Sequence, residues 1–131
     1  MKKIKMSLLA VIASLLFVGC GNNTKPSDVA LKVFDALKEL DFKTVKQYIA
    51  KDFIESVDQI EKHMIEDVAA ANNFKNDVKG TTCKILSENI SEDGNSAVVE
   101  TEVTFRDGKK HQNKMDMVKV DGEWKINENP F

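Results

Sequence analysis

The spacing of apolar residues changes at Gly80 from the period of a helix to the period of a strand. Before Gly80 they recur every three or four positions, as on one face of an amphipathic helix. After Gly80 they alternate with polar residues, as in a strand with one face on a core and the other in water. This order predicts an α+β domain in which helices pack on one face of an antiparallel sheet.

Two helices are predicted at the start of this domain. The first begins at Pro26, which suits a first helical turn because its missing N–H would be unpaired there. Its apolar stripe consists of Val29, Val33, Phe34, Leu37 and Leu40. The second is short and follows from Asp41. Its apolar side carries Phe42, Val45, Tyr48 and Ile49.

A third helix is predicted from Asp52 to Lys79. Asp52 and Glu55 have the spacing of a capping box at its start. A helix of this length is expected to break near residues 56–58 or to weaken after Ala71. Gly80 ends it, because glycine readily adopts the left-handed conformation that closes a helix.

Four strands are predicted after Gly80, over residues 81–90, 97–106, 109–120 and 123–127. The second strand places Ala97, Val99, Thr101, Val103 and Phe105 on one face. Asp107-Gly108 and Asp121-Gly122 are strong hairpin signals on either side of the third strand. Within that strand Met115 and Met117 have one parity and Val118 and Val120 the other. A β-bulge, or burial on both faces, would reconcile the two sets.

The first 19 residues have the pattern of a secretory signal. Lys2, Lys3 and Lys5 precede an uncharged run of 13 residues over positions 6–18. A permanent membrane span needs about 20 apolar residues, so this run is too short to be one. The predicted organisation is a signal peptide over 1–19, a flexible tether over 20–25 and a single domain over 26–131.

Removal of that segment changes the charge of the chain. The whole sequence has 19 basic and 21 acidic residues, whereas residues 20–131 have 16 and 21, a net charge of −5. An acidic domain argues against a nucleic-acid partner and against binding to a membrane through a basic surface.

The segment from Leu16 to Cys20 resembles the lipobox of bacterial lipoproteins. The resemblance implies a diacylglycerol on the Cys20 thiol after cleavage, and two or three acyl chains hold a protein stably on a bilayer. It places the protein in the cell envelope, facing out of the cytoplasm. Gly21 follows the cysteine in place of the Asp that often retains lipoproteins in the inner membrane, so the outer membrane is an option in a two-membrane cell.

The mature chain also resembles a family of small bacterial lipoproteins. The resemblance rests on the order of the elements, on residues 33–42 (VFDALKELDF) and on the closing residues 121–126 (DGEWKI). The family has an NTF2-like, cystatin-like domain labelled DUF4878, sometimes called lumazine-binding-like, and the match runs from Lys25 to the end. It implies a curved four-stranded sheet that forms a cone with the helices.

In some relatives the mouth of such a cone holds a ligand or an acid–base pair. The residues expected to line it here are Phe34, Tyr48, Phe53, Val103, Phe105, Met115, Met117 and Trp124. The alternative is that these side chains simply fill the core, because a domain this small needs most of its large apolar groups for folding.

No strong catalytic, nucleotide-binding or metal-binding motif is present in the sequence. Cys83 lies in an apolar, β-prone run and is predicted to be a buried small hydrophobe. Asp116 is the only candidate base on the strands, because no acid falls on the inward face of the second strand. We therefore expect no catalysis, cofactor or metal.

The function expected from these features is a membrane-tethered domain that binds a protein or a small apolar ligand. The alternative is a small-molecule-binding protein, or an enzyme of the isomerase or dehydratase type, that uses the cone cavity. A homodimer through the open sheet face is a further expectation.

Overall fold

The structure, a computed structural model, describes residues 24–131. The predicted signal peptide, the lipidation of Cys20 and most of the predicted tether therefore lie outside the described residues. The helices are α1 (Pro26–Lys38), α2 (Phe42–Gln47), α3 (Ile54–Glu66) and α4 (Val68–Val78), with a 3-10 turn over Lys51–Phe53. The strands are β1 (Thr82–Ile90), β2 (Ser96–Thr104), β3 (Lys110–Val120) and β4 (Glu123–Ile126). Within residues 24–131, no helix combines the length and the apolar character needed to cross a bilayer.

The predicted α+β architecture is confirmed, with helices on one face of a curved antiparallel sheet. The strands follow one another in the order β1-β2-β3-β4. The core lies where α1 and α2 cover the sheet. It includes Val33 of α1, Val45 of α2, Val99 of β2 and Ile126 of β4, all of them buried.

The start of α1 is tied to the sheet. Pro26 occupies the first helical turn, as predicted, and the Lys25 N–H donates to Asp28 Oδ2 at 3.2 Å. The next amide, that of Ser27, donates to Glu88 Oε2 of β1 at 2.8 Å. A carboxylate at a helix N-terminus also interacts favourably with the helix dipole. These bonds orient α1 across the sheet.

The predicted third helix is two helices that meet at Asp67. Neither residues 56–58 nor Ala71 is the point of division. Asp67 leaves helical geometry, with φ −122° and ψ 87°, and its carboxylate accepts the Ala70 N–H at 3.0 Å. Aspartate is favoured as an N-cap because it satisfies an amide that has no partner in the helix. Asp52 lies in the 3-10 turn and does not cap α3.

The irregularity predicted in β3 lies instead in β1. The β2–β3 pairing is regular from Ser96↔Val118 to Thr104↔Lys110, whereas the β1–β2 register shifts between Ile85 and Ser87. Val120 stays 42% exposed. Only the parity of Met115 and Met117 therefore faces the core.

Candidate functional site

A cavity of about 460 Å³ lies between α1, α4 and the end of the sheet near Phe105. Its walls are mostly apolar. They include Ala30, Val33, Phe34 and Leu37 of α1, Phe74 and Val78 of α4, Val103 of β2, Met115 of β3, and Pro130 and Phe131 at the C-terminus. The volume lies within the range of about 300–1,000 Å³ that small-molecule pockets occupy.

The position of α4 explains why this space is open. None of the residues of α4 is fully buried, whereas α1 buries Val29, Ala30, Val33 and Ala36. The α1 helix packs closely along the length of the sheet, whereas α4 covers the end near Phe105 only partly.

Eight residues were expected to line the cone, and four of them line this cavity. These are Phe34, Val103, Phe105 and Met115. The other four lie elsewhere. Met117 (2% exposed) and Trp124 (5% exposed) belong to the closed core, and Tyr48 and Phe53 pack against its edge.

The structure also adds lining residues that the sequence reasoning missed. Phe74 and Val78 follow Ala71 at spacings of three and four, so an extended helical pattern would have found them. Glu128, Asn129, Pro130 and Phe131 follow the last strand and have no periodic signal.

Polar groups of the cavity wall meet where α1 ends beside β1. Lys38 Nζ donates to the Thr81 carbonyl oxygen at 2.6 Å and lies 5.6 Å from the centroid of the Phe34 ring. The Thr81 N–H donates to the Val78 carbonyl oxygen at 3.0 Å. Thr81 is only 3% exposed, and its Oγ1 has no hydrogen-bond partner among residues 24–131. Such an unpaired buried hydroxyl is uncommon in proteins.

The model of a protein family described as a domain of unknown function, DUF4878, matches residues 18–127. The chain belongs to the DUF4878 family. No curated protein matches the sequence.

Two solved structures are similar to this DUF4878 domain. One is a Campylobacter jejuni protein provisionally named an NTF2-like transpeptidase. It has a TM-score of 0.57 and 22% identity over 81% of this chain and all of the other. This similarity confirms the predicted NTF2-like fold. The other is a de novo designed protein with a curved β-sheet, with a TM-score of 0.47 and 20% identity over 76% of this chain and 92% of the other.

Cys83 of the DUF4878 domain lines the cavity beside Thr101. Burial raises the pKa of the Cys83 thiol above its ordinary value, and the nearby Asp35 charge acts in the same direction. A hydrogen bond with the Thr101 side chain lowers the pKa but does not offset the burial. A neutral thiol is a poor nucleophile. Both histidines, His63 and His111, are exposed and lie outside the cavity wall.

The acid that lines the cavity of the DUF4878 domain is Glu128, not Asp116. Asp116 is exposed, and its side chain has the parity of the outer face of β3. The two residues are nevertheless linked, because the Asp116 N–H donates to Glu128 Oε1 at 3.0 Å. Within residues 24–131, no three His, Cys, Asp or Glu side chains are grouped so that they could hold a metal ion.

The outer face of the sheet in this DUF4878 domain is charged. Glu102 lies between Lys84 and Lys110, at 3.8 and 3.7 Å, and Glu100 lies 3.7 Å from Lys114. These pairs cover the face on which a homodimer was expected. The homodimer stays a prediction.

Proposed function

We propose that this DUF4878 protein is a non-catalytic binding protein of the cell envelope, which holds a small, mostly apolar ligand in the cavity between α1, α4 and the sheet. The observation that carries the proposal is the cavity itself, since a domain of this size leaves about 460 Å³ open behind apolar walls. Aromatic and aliphatic walls with a few polar groups are typical of small-molecule sites.

The anchor is part of the same proposal. Cys20 follows an apolar run that is too short to span a bilayer, and the chain after it is acidic. Acyl chains on Cys20 would supply the membrane affinity that such a surface lacks. Mass spectrometry of the native N-terminal peptide tests this step, and an unmodified Cys20 would refute it.

Binding in the cavity can be read from the reactivity of Cys83, because this thiol lines the cavity wall. Trypsin releases Cys83 in the peptide 80–84 (GTTCK), apart from Cys20. The full chain in phosphatidylcholine vesicles is treated with iodoacetamide at pH 8, with and without 1-decanol. We expect decanol to slow the alkylation of Cys83.

A matched pair of variants locates the effect. Val78→Trp fills the cavity from α4 and is expected to abolish protection by decanol. Val68→Trp makes the same change at a 65% exposed position of the same helix and is expected to leave protection intact. Circular dichroism confirms that both variants fold. Equal protection in both variants, or none in the wild type, would contradict binding in this cavity.

Glu128 is the observation that favours an enzyme as the second candidate. An isomerase or dehydratase in the cone needs a base, and the Glu128 carboxylate lines the cavity. Such a base would take a proton from the carbon beside a carbonyl group. Uptake of solvent deuterium at that carbon of 2-decanone, in the wild type but not in Glu128→Gln, would support it.

Transfer chemistry has less support. The name of the Campylobacter jejuni protein refers to a transpeptidase, whose counterpart here would need a nucleophile in the site. Burial raises the pKa of the Cys83 thiol, which disfavours the thiolate that a nucleophile requires, and we propose no such reaction for this chain.

A further inference from the structure

We infer that the ligand is a carboxylate on a single short alkyl chain, with its head at Lys38 and Thr81 and its chain along the apolar walls. The inference rests on the proposed function and names the class of ligand. Three features of the cavity carry it: a positive charge, an unpaired hydroxyl and the position of the one carboxylate in the wall.

The positive charge is the Lys38 ammonium. The Thr81 carbonyl oxygen accepts one of its three N–H groups at 2.6 Å, which leaves two for a ligand. None of the described carboxylates lies within 4.0 Å of Lys38 Nζ, although eight other ion pairs form within that distance. An ammonium group that is held at a cavity wall without a counter-ion attracts an anion.

The hydroxyl is that of Thr81. Both backbone groups of this residue are engaged, the N–H with Val78 and the carbonyl oxygen with Lys38, so the residue is held in place. Its Oγ1 remains buried without a partner among the described residues. A change of the χ1 rotamer would move Oγ1 toward the cavity. The hydroxyl would then donate to an oxygen of the same anion that Lys38 binds.

The orientation follows from Glu128. This carboxylate lines the cavity next to β3, where it accepts the Asp116 N–H, whereas Lys38 and Thr81 lie at the junction of α1 and β1. Like charges repel, so an anionic head is favoured at Lys38 and disfavoured at Glu128. The tail then lies along Phe74, Val103 and Phe105. About 460 Å³ suits one short chain and not the paired long chains of a phospholipid.

The test compares two ligands of the same length, decanoate and 1-decanol, by protection of Cys83 in the full chain in phosphatidylcholine vesicles. In Lys38→Met we expect the half-protecting concentration of decanoate to rise about tenfold or more, because a charge-assisted hydrogen bond is lost. The half-protecting concentration of decanol should stay within twofold of its wild-type value. Partition into the vesicles is the same for every variant and cancels in this comparison.

Lys32→Met is the matched control. Lys32 is also on α1, but its Nζ lies near the Tyr48 ring and the residue is not in the cavity wall. Lys32→Met should change the half-protecting concentration of neither decanoate nor decanol. Thr81→Val should weaken the protection of Cys83 by decanoate and leave its protection by decanol unchanged.

The outcomes separate the two proposals. If Lys38→Met changes protection by neither decanol nor decanoate, the inference that the ligand is a carboxylate is overturned, and the cavity remains a binding site. A loss of both ligands in Lys38→Met would show that Lys38 shapes the cavity without binding the head, and it would overturn the inference too. Protection by neither ligand in the wild type would remove both proposals.

Discussion

Replacing Thr81 by valine should stabilise the protein. Valine has nearly the shape of threonine, with a methyl group where the hydroxyl was. The Thr81 hydroxyl is buried in a residue that is 3% exposed, and it has no partner among residues 24–131. The substitution therefore removes no hydrogen bond within the described structure. Most buried polar substitutions that destabilise a protein do so by breaking such a bond.

The size of the effect follows from the cost of the unpaired group. An unsatisfied buried hydroxyl costs about 1–3 kcal/mol, and one more buried methyl group contributes about 0.8 kcal/mol. We expect the free energy of unfolding to rise by about 1–3 kcal/mol. At a urea dependence of about 1–3 kcal/mol per molar, the midpoint moves up by about 1 M.

Urea unfolding of the full chain measures this change. Trp124 is the only tryptophan of the chain and is 5% exposed, so its fluorescence reports the loss of the core. Thr101→Val is the matched control, because Thr101 is equally buried but its Oγ1 is not among the unpaired buried side-chain atoms of residues 24–131. We expect Thr101→Val not to raise the midpoint. Ser87→Ala removes the other unpaired buried hydroxyl of residues 24–131, outside the cavity, and should raise the midpoint without affecting decanoate.

A lower midpoint for Thr81→Val would refute the reasoning. It would show that the hydroxyl is satisfied in solution, and Thr81 would then lose its role in holding the ligand. A higher midpoint together with weaker binding of decanoate is the pattern expected of a group that is kept for function at a cost in stability.

The remaining predictions concern a thiol and two helix caps. Because burial raises its pKa, Cys83 should react with iodoacetamide at pH 8 more slowly than a free cysteine does, and urea should abolish the difference; equal rates in the folded chain would contradict the burial. Asp67→Ala should lower the free energy of unfolding by about 0.5–2 kcal/mol through loss of the cap on Ala70 N–H, and Asp67→Asn should restore most of it in urea titrations. Hydrogen bonds from the hydroxyl and then the amide of Thr44 lower the pKa of Asp41 below 3.8. The ionised carboxylate therefore stabilises the folded protein at pH values above the unfolded pKa, and this stabilisation is lost as the pH falls through the folded pKa. The urea midpoint should fall less steeply below about pH 4 in Asp41→Asn than in the wild type, and identical pH profiles would argue against this cap.

Local pattern was enough for most of the secondary structure. The alternation of Ala97, Val99 and Thr101 predicted which face of β2 is buried, and all three are buried. The division at Asp67 was missed because a single aspartate on a helix is also an ordinary exposed residue. Its role as a cap depends on the backbone turning there, which the spacing of apolar residues does not encode.

The cavity was less accessible to sequence reasoning. Met115 and Met117 are the same residue type on the same face of β3, yet Met115 lines the cavity and Met117 is in the closed core. The difference lies in what covers them. Met117 is under the closely packed helices, and Met115 is nearer the end that α4 covers only partly.

By itself, the sequence determined the order of helices and strands, the buried face of β2, the acidic charge and the candidate lipid attachment at Cys20. These properties depend on neighbouring residues along the chain, so they can be read from spacing and composition. The tertiary structure decided that a space remains between α4 and the sheet, and that Lys38, Thr81 and Glu128 border it. Those residues are far apart along the chain, and only the packing of α1 against the sheet brings them around one cavity.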